Sequence, residues 1–192
     1  MPVMIAGLIV FLGLHSLRLF ADGWRTAQIA RLGALRWRGL YSIVSLAGFA
    51  LIVWGFGMAR HAPIVVWSPP TVMRHIAALL VLVASILITA AYVPGNGIKS
   101  RVGHPMLAGV KVWAFAHLLA NGTLNDIILF GAFLVWAIAL FAVSRRRDRA
   151  AGVTYPSRGA GQTVLTVVIG FIAWGVFAHV LHLWLIGVSP FA

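Results

Sequence analysis

The chain has 192 residues, 61% of them hydrophobic and only 9% charged, with a formal net charge of +12 and no cysteine. So few charges cannot cover so much apolar surface in water, which excludes an ordinary soluble globular domain. The missing thiols exclude disulfides, iron–sulfur clusters, zinc fingers and the C-x-x-C-H attachment of c-type haem, so any haem is held without covalent links. Glutamate is absent, and the only acids are Asp22, Asp126 and Asp148. The basic residues lie between apolar runs. That placement points to anionic lipid headgroups as the partner and away from nucleic acid.

The expected fold class is all-α: a polytopic transmembrane helical bundle of six TM helices forming one domain over residues 1–192. Six apolar segments approach the roughly 20 residues that cross about 30 Å of hydrocarbon. They cover residues 2–20, 40–58, 72–93, 105–120, 127–143 and 164–188. The start lacks a positive n-region, so a cleavable signal peptide is not expected. In the first loop, Trp24, Ile29, Leu32, Leu35 and Trp37 alternate with arginines. The pattern predicts an interfacial helix with its arginines toward headgroups. "PGNG" at 94–97 is a turn signal. "NGTLND" at 121–126 predicts a tight hairpin, with Thr123 or Asn125 as N-cap. "SRRRDR" at 144–149 reads as a basic loop that sets topology.

Arg18, Arg25, Arg31, Arg36 and Arg38 fall in the first loop, Lys99 and Arg101 in the third, and Arg145, Arg146, Arg147, Arg149 and Arg158 in the fifth. The second loop has only Arg60 and Arg74. By the positive-inside rule, loops one, three and five are cytoplasmic and both termini lie outside. This topology assigns a depth to each histidine. His15 and His104 share the cytoplasmic layer. His117 lies 13 residues beyond His104, about 20 Å along a helix, and falls with His179 and His182 in an outer layer. His61 and His75 are interfacial.

Intramembrane ionisable groups are candidate functional groups. His15 and His104, on two helices at one depth, suit axial ligation of haem iron, with Arg18, Lys99 and Arg101 near the propionates. Hydrogen bonds that bridge helices account for the same spacing. Lys111 falls on nearly the face of His104 and is placed to snorkel or to meet a cofactor carboxylate. His117 and Asn121 share a face at i, i+4. His117, His179 and His182 form an alternative metal site, again set against interhelical hydrogen bonding.

Three stretches resemble NnrU-type membrane proteins: "LGLHSLRL", "GHPMLAGVKVWAFAHLLANG" and "LHLWLIGVSP". The likeness extends over essentially the whole chain, and the H-P…A-H-L-L-A-N-G block is the most specific. It implies a multi-pass membrane protein linked to bacterial nitrite and nitric oxide metabolism (denitrification). The family is similar in turn to the 15-cis-zeta-carotene isomerases, which hold a non-covalent b-type haem through two histidines. His15, in "HSL", and His104, in "GHP", match those ligands, and His117 matches a later histidine. Leu17 and Gly103 depart from that pattern. The H-P block also resembles isoprenylcysteine carboxyl methyltransferases, whose further motif contains a glutamate that this chain lacks. Two functions are compatible with the pattern. One is a haem-binding factor for nitrogen-oxide metabolism. The other is a haem-dependent cis–trans isomerase of a lipophilic polyene, with His104, beside a flexible "PGNG" loop, as the ligand that leaves the iron.

Overall fold

The computed structural model describes residues 1–191. The helices are α1 (Pro2–His15), α2 (Leu17–Phe20), α3 (Asp22–Leu32), α4 (Ala34–Ala59), α5 (Val72–Tyr92), α6 (Gly97–Val102), α7 (Pro105–Ala120), α8 (Leu124–Ala150) and α9 (Ala160–Val176). A π-helical turn, Phe177–Leu181, carries α9 into α10 (His182–Ile186). Four stretches are long and apolar enough to cross a bilayer among the described residues: Ala34–Ala59, Val72–Tyr92, Leu124–Ala150 and Ala160–Ile186. Their exposed surface is lined by side chains such as Leu46, Phe49, Val53, Leu79, Val135 and Phe171, which belong against hydrocarbon. All six expected segments are helical, but α1 has 14 residues and α7 has 16. At 1.5 Å per residue they reach about 21 and 24 Å, short of a full hydrocarbon core.

The chain divides into two compact units, Met1–Val66 with Thr123–Ala132, and Trp67–Gly122 with Phe133–Ala192. In the first unit α1 packs on α4 almost backbone to backbone. A Cβ on Gly55 would stand 2.2 Å from the Met4 nitrogen, and one on Gly7 would stand 2.6 Å from the Ile52 nitrogen. In lipid, helices gain little from hydrophobic burial against each other, so close approach over small residues supplies the adhesion. Met4 is fully buried at this contact.

The first apolar run does not continue to residue 20. The Ser16 hydroxyl donates to the Leu12 carbonyl at 2.7 Å, and α1 ends at His15. This is the local side-chain competition by which serine bends or ends a helix. The first loop contains a helix, α3, but it is shorter than expected: Gly33 at φ 81° breaks it after Leu32, and Leu35 and Trp37 belong to α4. The rings of Trp24 and Trp37 meet at 6.0 Å, and those of Trp37 and Tyr41 at 6.5 Å. In the "NGTLND" stretch, Thr123 precedes the first residue of α8. Its hydroxyl faces Asn125 Oδ1 at 2.8 Å and the Asp126 carboxylate. Asn125 and Asp126 are both buried.

In the second unit α5 is the central helix, packed by α7 and α9. A Cβ on Gly109 would lie 2.9 Å from the Ala84 carbonyl oxygen, and one on Gly170 would lie 2.7 Å from Ile86 Cα. The Ser85 hydroxyl donates to the Gly170 carbonyl at 2.9 Å and joins α5 to α9. The "PGNG" turn is firmly held. Asn96 is fully buried, donates to the carbonyls of Ala90 (2.9 Å) and Val93 (2.5 Å), and accepts from the Lys99 amide (2.8 Å) as N-cap of α6. The fifth segment is longer than residues 127–143. "SRRRDR" continues α8 to Ala150, because arginine and alanine are good helix formers. Gly152 at φ 63° then turns the chain. Residues 153–159 return as a strap, with the Arg158 amide donating to the Gly95 carbonyl at 2.8 Å.

Candidate functional site

The start of α7 gathers a set of polar and aromatic side chains in the second unit. Gly103, at φ 77°, ends α6 and turns the chain into His104, which occupies the N-cap position of α7. Pro105 takes the first helical position, where its missing N–H costs nothing. A cavity of about 220 Å³ opens here, lined by Lys99, Gly103, His104, Met106, Leu107 and Tyr155, among others.

Asp148, near the end of α8, brings its Oδ2 to 2.8 Å from His104 Nε2. The distance is that of an ion pair, but the angular alignment of a hydrogen bond is lacking, since Nε2 is buried without an aligned acceptor. The contact is therefore electrostatic. Tyr155, on the strap, donates its hydroxyl to the same Asp148 oxygen at 2.9 Å. The rings of Phe141 and Tyr155 stand edge-on to the His104 imidazole at 6.4 and 6.0 Å. Lys111 places its ammonium 3.6 Å from the centre of the Phe141 ring, a cation–π contact. Phe141 thus links Lys111 to His104. Lys99 donates its ammonium to the Ala91 carbonyl at 3.3 Å, near the C-terminus of α5, where a cation is favoured. The Arg145 guanidinium lies across Gly103, so a Cβ there would meet Nη1 at 2.4 Å.

His15 belongs to the first unit, at the last residue of α1. Its Nδ1 lies 2.7 Å from the Phe11 carbonyl oxygen. Its ring rests against Phe11 at 4.3 Å and Tyr41 at 5.3 Å. Arg18 lies beyond the break at Ser16, on α2, so it does not extend the face of His15 along one helix.

The outer group is held locally. His117 Nδ1 lies 2.8 Å from the Trp113 carbonyl oxygen. The Asn121 amide donates to the His117 carbonyl at 2.9 Å, which finishes α7. His179 sits in the π-helical turn and stacks on Phe191 at 4.8 Å. His182 Nδ1 lies 2.6 Å from the Val188 carbonyl oxygen. Among the described residues, no three His, Cys, Asp or Glu side chains converge as a metal-binding group, so His117, His179 and His182 are not brought together as one.

Asp148, Tyr155 and Asn96 were not apparent as site residues in the sequence. A signal was present in Asp148, a lone acid among the four arginines of "SRRRDR" in a chain of three acids.

No curated protein and no solved structure shows significant similarity to the chain. The profile of one family, described as NnrU protein, matches residues 3–190, nearly the full length. The chain therefore belongs to the NnrU protein family.

Proposed function

We propose that this NnrU-family protein resides in the bacterial cytoplasmic membrane and carries a non-covalently held b-type haem in the service of nitrite and nitric oxide metabolism. The basic segments then face the cytoplasm and both termini the periplasm, following the loop arginines. His15 in the first unit and His104 in the second are the candidate ligands.

The observation that carries this reading is how each imidazole is held. A carbonyl 2.7 Å from His15 Nδ1 keeps the proton on that nitrogen and the lone pair on Nε2. The Asp148 carboxylate stands 2.8 Å from His104 Nε2 and orients that ring electrostatically. Metal-ligating histidines commonly face a carbonyl or carboxylate with their other ring nitrogen. An apolar helical environment suits a porphyrin. A bound haem supplies reversible binding of small ligands such as nitric oxide, and one-electron chemistry, at iron.

The test is the optical spectrum of the detergent-purified chain from haem-replete cells. Sharp reduced-state bands are expected, lost or shifted in His15→Ala and in His104→Ala. A colourless, iron-free preparation overturns the proposal. Cells fed 9,15,9′-tricis-zeta-carotene separate the two haem functions. Isomerisation that depends on His15 assigns the chain to polyene isomerisation; an intact haem without isomerisation assigns it to the nitrogen-oxide factor.

A further inference from the structure

We propose that the cavity at the start of α7 binds the phosphate headgroup of an anionic phospholipid, with Lys99 as its charge partner. The inference does not depend on haem. This end of the second unit is strongly basic. Lys99, Arg101, Arg145, Arg146, Arg147, Arg149 and Arg158 stand there with one acid, Asp148. That acid is already engaged by His104 at 2.8 Å and by the Tyr155 hydroxyl at 2.9 Å. Lys99 is left as the cation of the cavity wall. Its ammonium meets only the Ala91 carbonyl, and no carboxylate comes within ion-pairing distance among the described residues. An ammonium has three protons to donate, and a partly buried one is costly until an anion joins it.

The rest of the wall fits such an anion. Met106 and Leu107 line the cavity in the first turn of α7, where backbone N–H groups have no intrahelical acceptor and negative charge is favoured. Arg145 lies close to Gly103, which lines the cavity. Ala91, Met106 and Leu107 supply apolar surface beside these donors. The last turn of α5 and the first turn of α7 meet here, where apolar helix gives way to basic segments. That is the level of lipid headgroups, and basic pockets between helices at this level take acidic heads. A lipid satisfies both parts of the cavity, its phosphate toward Lys99 and its glycerol and acyl carbons toward the apolar wall.

The experiment measures thermal unfolding of the full chain in detergent, titrated with short-chain phosphatidylglycerol, with phosphatidylcholine of equal chain length, or with inorganic phosphate alone. Phosphatidylglycerol should raise the unfolding temperature and phosphatidylcholine should not. Lys99→Gln should weaken the phosphatidylglycerol response about fivefold, the factor that corresponds to about 1 kcal/mol for one basic residue at a lipid surface. Lys99→Arg should restore it, and exposed Arg149→Gln should leave it unchanged. Equal responses to the two lipids, or equal losses in Lys99→Gln and Arg149→Gln, overturn the proposal. So does inorganic phosphate if it reproduces the full shift with the same Lys99 dependence, because the ligand is then a soluble oxyanion. Should Lys99→Gln fail to fold, native mass spectrometry of the wild-type chain decides: preferential retention of phosphatidylglycerol supports the site, and equal retention of both lipids overturns it. The readout is unfolding and lipid retention, so a failed haem spectrum leaves it intact.

Discussion

Asp148 Oδ2 stands 2.8 Å from His104 Nε2, and this contact ties the last turns of α8 to the first turn of α7. The Tyr155 hydroxyl converges on the same oxygen. One carboxylate therefore holds the ring at the start of α7 and the strap that folds back over it. Tyr155→Phe should cost about 1 kcal/mol, the usual net worth of a hydrogen bond. Asp148→Asn should cost about 2 kcal/mol, since it removes the charge that both partners face. The double variant should cost less than the sum, because both changes strip the same oxygen. Unfolding of the four proteins in detergent measures the coupling; strict additivity would show that the two contacts are independent.

Asn96 gives a second, separable prediction. Its side chain makes three hydrogen bonds and is fully buried. Asn96→Ala removes all three and should destabilise the second unit by about 3 kcal/mol, combining a lost cap with two carbonyls left without a donor. Asn96→Asp keeps an oxygen for the Lys99 amide but loses the donors to Ala90 and Val93, so it should recover only part of the loss. Limited proteolysis of residues 93–104 should accelerate in the order wild type, Asp, Ala. Equal cleavage rates would refute the role assigned to Asn96.

These two residues also show how far the sequence could be read. Hydropathy located all six apolar helices, and the amphipathic pattern located part of the helix in the first loop, because those signals are summed over many residues. They placed helix ends less well. The helix-ending hydrogen bond of Ser16 to Leu12 is one local contact, and it cut the first segment at His15. The arginines after Val143 read as a loop by charge, yet their helical propensity carried α8 on to Ala150. His104 and Lys111 were legible because polar groups in apolar runs are conspicuous. Asp148 and Tyr155 lie in a basic, polar stretch, and only the turn at Gly152 brings the tyrosine back to His104. Nothing in the spacing of residues 148–155 reports that reversal.

The packing of α1 on α4 predicts a sharp contrast between glycines of one helix. Gly55→Ala places a methyl group where Met4 backbone atoms already stand, with the nearest at 2.2 Å. The helices must separate, at a cost of about 1–3 kcal/mol. Gly57, two residues on, has nothing within 4 Å of an added Cβ. Gly57→Ala should be neutral or stabilise slightly, since alanine is the better helix former. Unfolding temperature and purified yield compare the two directly, and equal behaviour would contradict the close approach.

Lys111 and Phe141 supply the last prediction. An ammonium 3.6 Å from a ring centre gains about 0.5–2 kcal/mol from the ring's negative face, toward the upper end where water is scarce. The consequence is asymmetric. Phe141→Leu leaves the ammonium in apolar surroundings with its partner gone, and it also removes the ring that stands edge-on to His104. Lys111→Met removes the charge, and a flexible apolar chain of similar length takes its place. The first change should therefore destabilise by more than 1 kcal/mol, while the second should be close to neutral. In the double variant, Lys111→Met should rescue most of the loss caused by Phe141→Leu, because the stranded charge is what makes the single change costly. If Phe141→Leu costs the same with methionine at position 111 as with lysine, the ring acts on packing alone and the cation–π contact contributes nothing measurable.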